Sequence, residues 1–233
     1  MFFNKEGVGH IEMIMSFVLF MGFLGVAFYF FSPFQSGRTL HSSLDYAFDE
    51  ILEKTKTDLE IYSVVFPSGC QNKTIEISNL GPINGDVIIL DINGDDLDGK
   101  GNNAGKFCIP NPKDFIKILI NEEFASAYDD CSESPSSCNI ISSSEQRSVV
   151  GKSKFDYLVE DYAGDYVGLK DEFNLPGRID FGFSLISDDR TINISTDGIR
   201  IIPDNLEIIS KVDRIEVATS EGIVFADLVV KVW

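Results

Sequence analysis

Residues 7–31 read GVGHIEMIMSFVLFMGFLGVAFYFF, and none of those between Met13 and Phe31 is charged. An α-helix rises about 1.5 Å per residue, so about 20 apolar residues cover the roughly 30 Å hydrocarbon core of a bilayer. A cleaved secretory signal has a shorter apolar core and ends at small residues, whereas this stretch ends at Phe30 and Phe31. The sequence therefore predicts a retained transmembrane helix over residues 8–31.

The polar residues before the apolar stretch have a distinctive spacing. Lys5, Glu6 and Gly7 end a short leader, and Glu12 lies five residues beyond Gly7. This pattern resembles that of type IV prepilins, in particular the archaeal class III signal peptide, which places two charged residues and a glycine before the span. The resemblance implies that a prepilin-type peptidase cuts between Gly7 and Val8. It also implies that Glu12, then the fifth residue, pairs with the new amine of a neighbouring subunit.

The same resemblance divides the chain into four parts. It implies a leader over residues 1–7, a transmembrane helix over 8–31, a juxtamembrane amphipathic helix over 32–59 and an extracellular head over 60–233. The implied protein is a pilin-like subunit of a cell-surface filament, alone or with other pilin-like subunits, whose head serves adhesion or subunit contacts. The alternative is an uncleaved, single-pass membrane anchor that carries an extracellular binding or envelope domain and does not polymerise.

Hydrophobic periodicity changes near residue 60. Before it, apolar residues recur at helical spacing of three and four, which predicts an amphipathic helix through Leu40, Leu44, Phe48, Ile51, Leu52, Thr55 and Leu59. After it, alternation over Ile179–Leu185 indicates a strand. Further strand candidates cover residues 74–78, 87–92, 191–195, 199–202, 214–219 and 223–233.

The rest of the head is less regular. Residues 115–128 suit a strand followed by a helical turn, and residues 157–173 suit a short helix that ends before Pro176. The serine-rich stretch 132–146 indicates an exposed loop. We predict an α+β chain with a long N-terminal transmembrane helix, an amphipathic helix and a β-rich, sandwich-like head.

Charge and cysteine usage limit the partners and the compartment. The formal net charge is −18, and residues 1–31 contribute little to it. A strongly acidic head disfavours binding to nucleic acid. Four cysteines in an exported domain indicate two disulfides, and three pairings are open. We favour Cys131 with Cys138 and Cys70 with Cys108; four buried free thiols are the alternative. Asn72 and Asn193 begin glycosylation sequons.

One acidic loop has the spacing of calcium ligands. Asp91, Asn93 and Asp95 take the first, third and fifth places of an EF-hand-like loop, the Leu97 carbonyl takes the seventh and Asn102 the twelfth. Asp96 stands where an EF-hand has glycine, so a complete EF-hand is not expected. The alternatives are a structural calcium ion and a plain hairpin turn.

Enzyme chemistry has little support in the sequence. The chain contains two histidines, His10 and His41, and both lie outside the head, which excludes an imidazole-based triad or zinc site there. A carboxylate-pair hydrolase has no specific residues behind it. We therefore predict a non-enzymatic assembly protein, with its N-terminus cytoplasmic and its head outside the cell.

Overall fold

A computed structural model describes the fold of this chain. It describes residues 5–30, 36–66, 74–76, 85–97, 99–101, 106–109, 114–125, 141–200, 202 and 206–233. In these ranges there are four helices, α1 Lys5–Phe30, α2 Ser36–Thr55, α3 Lys152–Gly164 and α4 Tyr166–Glu172. The strands are β1 Lys56–Val65, β2 Thr74–Glu76, β3 Asp86–Asp91, β4 Lys100–Gly101, β5 Lys106–Cys108, β6 Phe115–Asn121, β7 Ile141–Gly151, β8 Phe181–Ser187, β9 Asn193–Ser195, β10 Ile209–Thr219 and β11 Gly222–Val232.

The N-terminal helix does not match the prediction made for it. Among the described residues, no helix has the length and hydropathy that crossing a membrane requires. α1 begins at Lys5, and its first turns also hold Glu6 and Glu12, so its uncharged part is shorter than the helix itself. The prediction of a transmembrane helix over residues 8–31 is therefore wrong, and the single-pass membrane localisation that depended on it is wrong too.

The amphipathic helix forms but ends earlier than its periodicity indicates. The side chains of Leu44, Phe48 and Ile51 on α2 are buried. The helix ends at Thr55, whose hydroxyl donates to the Ile51 carbonyl at 2.7 Å. β1 starts at the next residue, so Leu59 belongs to a strand, where it is fully buried. The chain thus passes from helix to strand without a loop.

The strands form an eight-stranded and a three-stranded sheet. The larger sheet has the order β3-β6-β1-β7-β10-β11-β8-β9, and the smaller one has the order β2-β5-β4. Neighbours in the larger sheet are antiparallel except β7 and β10. Those two strands run parallel and pair at Val150 with Val217 and at Gly151 with Ala218. The larger sheet therefore consists of a first half, β3-β6-β1-β7, and a second half, β10-β11-β8-β9, joined by two residue pairs.

The two halves are covered differently, and this corrects the sandwich-like prediction. Apolar side chains of α2, α3 and α4 pack on the second half, where Phe155, Tyr162 and Phe181 lie in one buried cluster. The small sheet packs on the first half through Ile75 and Phe107. In the second half, helices therefore cover the sheet face that a second sheet would cover in a sandwich. The aromatic side chains of α3 and α4 pack on β8.

Hydrogen bonds from Tyr166 and Lys170 of α4 to Asp180, the residue before β8, stabilise the contact between the helix and the sheet. The ammonium of Lys170 donates to a carboxylate oxygen of Asp180 at 2.9 Å and to the Gly177 carbonyl at 2.8 Å. The hydroxyl of Tyr166 donates to the same carboxylate at 2.7 Å. Burial alone would raise the pKa of Asp180, but the hydrogen bonds from Lys170 and Tyr166 hold it below the ordinary value. Each member of the network has a partner, so it stabilises the helix–sheet contact.

We expect this region to make folding sensitive to alkaline pH. Burial raises the pKa of Tyr162 to about 12, and burial followed by the hydrogen bond to Asp180 also raises the pKa of Tyr166. Because the folded pKa values exceed the unfolded value near 10, the associated stability is complete below about pH 10 and is lost as pH rises through the folded values. The free energy of unfolding, measured by denaturant titration between pH 9 and pH 11.5, should fall.

A matched pair of substitutions isolates this effect from lysine titration. Tyr162→Phe should flatten the fall in unfolding free energy, whereas Tyr157→Phe should not, since the Tyr157 side chain is 65% exposed. A flat profile for the unaltered chain, or equal flattening by both substitutions, would contradict the expectation.

The strand predictions fare unevenly. The alternation over Ile179–Leu185 corresponds to β8, and the candidates at 87–92, 191–195, 214–219 and 223–233 correspond to β3, β9, β10 and β11. The exposed-loop prediction for 132–146 is wrong from residue 141 onward, because Ile141 begins β7. Residues 142–148 of that strand are exposed, so no buried face produces an alternation in the sequence.

Candidate assembly surface

The most exposed apolar surface of the described chain lies on α1. Eleven large apolar side chains between Met13 and Phe28 are 49–73% exposed, and none of the side chains described there is buried. Consecutive residues point about 100° apart around a helix, so exposure at each position from Phe17 to Met21 makes the helix apolar on all sides. An isolated helix of this kind is unfavourable in water, and it requires a cover of apolar groups.

The residues implied in processing and assembly lie on this helix. Gly7 and Val8 fall in the first turns of α1, and Glu12 follows Val8 by four residues. Positions four apart share one face of a helix, so Glu12 lies one turn beyond the position where a cut chain would begin. The Glu12 side chain is exposed. The Glu12 side chain is therefore accessible from outside the chain.

The acidic loop is a closed turn. The carboxylate of Asp91, which is 4% exposed, accepts from the backbone N–H of Asn93 at 2.7 Å and from that of Asp95 at 3.1 Å. Gly94 adopts a positive φ of 87°, which favours glycine, and its N–H donates to the Asp91 carbonyl. The Leu97 N–H donates to the Ile89 carbonyl at 2.9 Å. Asp91 thus stabilises the hairpin through its own backbone neighbours.

The calcium prediction for this loop remains a prediction. Within the described ranges, no group of three or more His, Cys, Asp or Glu side chains is placed to hold a metal ion. Asn102, the last predicted ligand, lies outside the described residues. The turn geometry of Asp91, Asn93 and Asp95 accounts for their spacing without an ion.

The cysteine and glycosylation sites are described in part. Cys108, on β5, is disulfide-bonded, and its sulfur lies 3.9 Å from the Thr74 hydroxyl. Cys70, Cys131 and Cys138 lie outside the described residues, so the predicted pairing of Cys70 with Cys108 stays a prediction. Asn193 is exposed on the edge strand β9, and Asn72 also lies outside the described ranges.

Comparison with protein-family models, with curated proteins and with solved structures finds no match for this chain. The resemblance to type IV pilins therefore rests on Lys5, Glu6, Gly7 and Glu12 and on the apolar stretch that follows. What it implies about processing and assembly through α1 is a hypothesis.

Sequence reasoning missed one surface altogether. The edge of β7 that faces β10 is paired at the C-terminal end of the strand, and an open cleft of about 450 Å³ lies beside that end. The cleft is lined by Leu52 of α2, Ser148 and Val150 of β7 and Ile215 of β10, among others. The sequence carries no signal for this cleft: the loop prediction ends at residue 146, and no strand is predicted over residues 147–151.

Proposed function

We propose that this chain is a pilin-like assembly subunit whose N-terminal helix packs against the same helices of other subunits. The observation that carries the proposal is the apolar surface of α1, which the head leaves uncovered from Met13 to Phe28. Packing against like helices removes this surface from water at about 25 cal/mol per Å² of apolar area. The head then remains outside the helical core of the assembly.

Two further features of α1 support helix–helix packing. Ideal Cβ atoms built at Gly22 and Gly25 meet no other atom within 4 Å, so both positions are open to a neighbouring molecule. Small residues of this kind let two helix backbones approach closely. The formal charge of −18 lies almost entirely beyond residue 31, so repulsion keeps the heads apart and soluble while the uncharged helices associate.

Removal of detergent from the full chain tests the proposal. We expect sedimentable assemblies with a defined diameter in electron micrographs, formed above a critical concentration. Two results would overturn it: a chain that stays monomeric in water, and a chain that floats with lipid vesicles while showing no self-association at any concentration.

Processing and the role of Glu12 can be tested together. A cut between Gly7 and Val8 would create an ammonium group, and pairing it with Glu12 of a neighbour would offset the desolvation of both charges and fix the axial register of the helices. Glu12→Gln should therefore be cut normally, with an intact mass that begins at Val8, yet assemble poorly. Sedimentation of the variant beside the unaltered chain measures the loss.

The exposed carboxylate Glu160 provides a matched control for this substitution. Glu160→Gln should assemble like the unaltered chain, because Glu160 lies on α3 of the head. If Glu12→Gln assembled fully, pairing of Glu12 with the new amine would not be needed for assembly. If the mature chain retained Met1, the chain would not be cut by a prepilin-type peptidase.

A further inference from the structure

Along residues 142–148, the edge of β7 that faces β10 has no strand partner among the described residues. β7 pairs with β1 through its other edge from Ile141 to Val150. On the side of β10 the described pairing is confined to Val150 and Gly151. A strand edge of this length exposes unpaired N–H and C=O groups, which are a template for another strand. An open cleft adjoins the C-terminal end of this edge, at Ser148 and Val150.

The side chains of this edge are complementary to themselves. If two copies of β7 align antiparallel around Gln146, Glu145 of each copy stands directly opposite Arg147 of the other. Glu145 and Arg147 lie two residues apart and therefore on the same face of the strand. Gln146 then faces Gln146, and Ser144 faces Ser148. If the alignment were centred on Glu145 instead, the two Glu145 carboxylates would lie opposite each other and repel.

The charges are available for such a contact. Glu145 makes no ion pair with any residue in the described part of the chain. The guanidinium of Arg147 lies 3.1 Å from the carboxylate of Glu216 on β10, but the Arg147 side chain is 40% exposed. A guanidinium has five N–H donors, so Arg147 can donate hydrogen bonds to Glu216 and to a second carboxylate at the same time. The paired segment would run from Ser144 to Ser148. It ends before Val150, where β7 pairs with β10.

We propose that the heads of two copies associate by antiparallel pairing of their β7 strands, centred on Gln146. The contact is isologous, since the same edge serves both copies around a two-fold axis. It uses a surface separate from α1, so it does not depend on the proposed helix assembly. In an assembly it would link neighbouring heads, and its small size makes it weak on its own.

Cysteine cross-linking tests the register. In the proposed pairing the two Gln146 Cα atoms lie about 4.5–5.5 Å apart, within the range that a disulfide bridges. The full chain carrying Gln146→Cys, in detergent that covers α1, should form a disulfide-linked dimer under mild oxidation. Ser148→Cys is the matched control, because two copies of residue 148 would lie about 14 Å apart.

The expected result is a dimer yield for Gln146→Cys at least tenfold above that for Ser148→Cys and above the unaltered chain. Ser144→Cys combined with Ser148→Cys should restore cross-linking. Equal yields from Gln146→Cys and Ser148→Cys would overturn the proposal. Because detergent prevents contacts between α1 helices, this result and a failure of helix assembly are distinguishable.

Charge reversal tests the complementarity independently. In the Gln146→Cys background, Glu145→Arg places two arginines opposite each other at both symmetry-related positions. The yield of the disulfide-linked dimer should fall about fivefold. Arg147→Glu should do the same, and the two together should restore the yield. Glu221→Arg, at the exposed turn between β10 and β11, lies outside the proposed Ser144–Ser148 segment and should leave the yield unchanged. Failure of the double reversal to restore cross-linking would exclude the Glu145–Arg147 pairing.

Discussion

Phe20→Lys should strongly impair assembly of the chain. The Phe20 side chain is 57% exposed on α1 and would become buried among neighbouring helices in the proposed assembly. The substitution removes about 2–3 kcal/mol of apolar burial and adds a buried, unpaired ammonium that costs several kcal/mol more. Since each 1.4 kcal/mol is a factor of ten, the critical concentration should rise at least about 100-fold.

Phe225→Lys is the matched control for Phe20→Lys. Phe225 is exposed to a similar extent, 52%, but lies on β11 of the head. The critical concentration, obtained by sedimentation after detergent removal, should be unchanged for this variant. If Phe20→Lys assembled like the unaltered chain, or if both variants lost assembly equally, α1 would not be the assembly surface.

Phe181→Ala should cost about 3–5 kcal/mol of folding free energy, the range found for removal of a buried aromatic side chain. Phe181 is fully buried on β8, and its ring centroid lies 5.4 Å from that of Tyr162 and 5.3 Å from that of Phe173. The cavity would remove the packing of the Phe181 ring against Tyr162 and Phe173. Because domains are stable by about 5–15 kcal/mol, this loss is a large fraction of the total.

Chemical denaturation followed by circular dichroism measures the effect of Phe181→Ala. Phe181→Leu, which keeps most of the volume, should lose clearly less, and Phe225→Ala should stay within about 0.5 kcal/mol of the unaltered chain because its site is exposed. An unfolding free energy for Phe181→Ala within about 1 kcal/mol of the unaltered value would show that α3 and α4 contribute little to stability.

The sequence predicts those elements that are buried on one face. The spacing of Leu44, Phe48 and Ile51 predicts α2, because that helix lays one side on the core. The same spacing extends to Leu59, but the helix prediction is wrong there because Leu59 lies on β1. A residue four positions after Thr55 satisfies the helical period, yet Leu59 is also the buried position of a strand, and pairing with distant strands decides between them.

The functional surfaces were harder to predict for a related physical reason. β7 carries serine and charged residues on both faces, so it has no hydrophobic period, and its strand conformation depends on β1. Asp91 and Asn93 have the spacing of metal ligands, but the same spacing also closes a turn. The length of the uncharged stretch predicted a membrane span, whereas the composition of a helix does not identify what covers it.

The direct junction between α2 and β1 has a consequence for how this molecule carries force. A tensile load entering through α1 continues along the backbone from Thr55 into Lys56. β1 lies between β6 and β7 and pairs with β7 over its whole length. Pulling along β1 would load these hydrogen bonds in shear, many at a time, rather than opening them one by one. The two residue pairs between β7 and β10 would come under load only if the opposing force acted on the second half of the sheet.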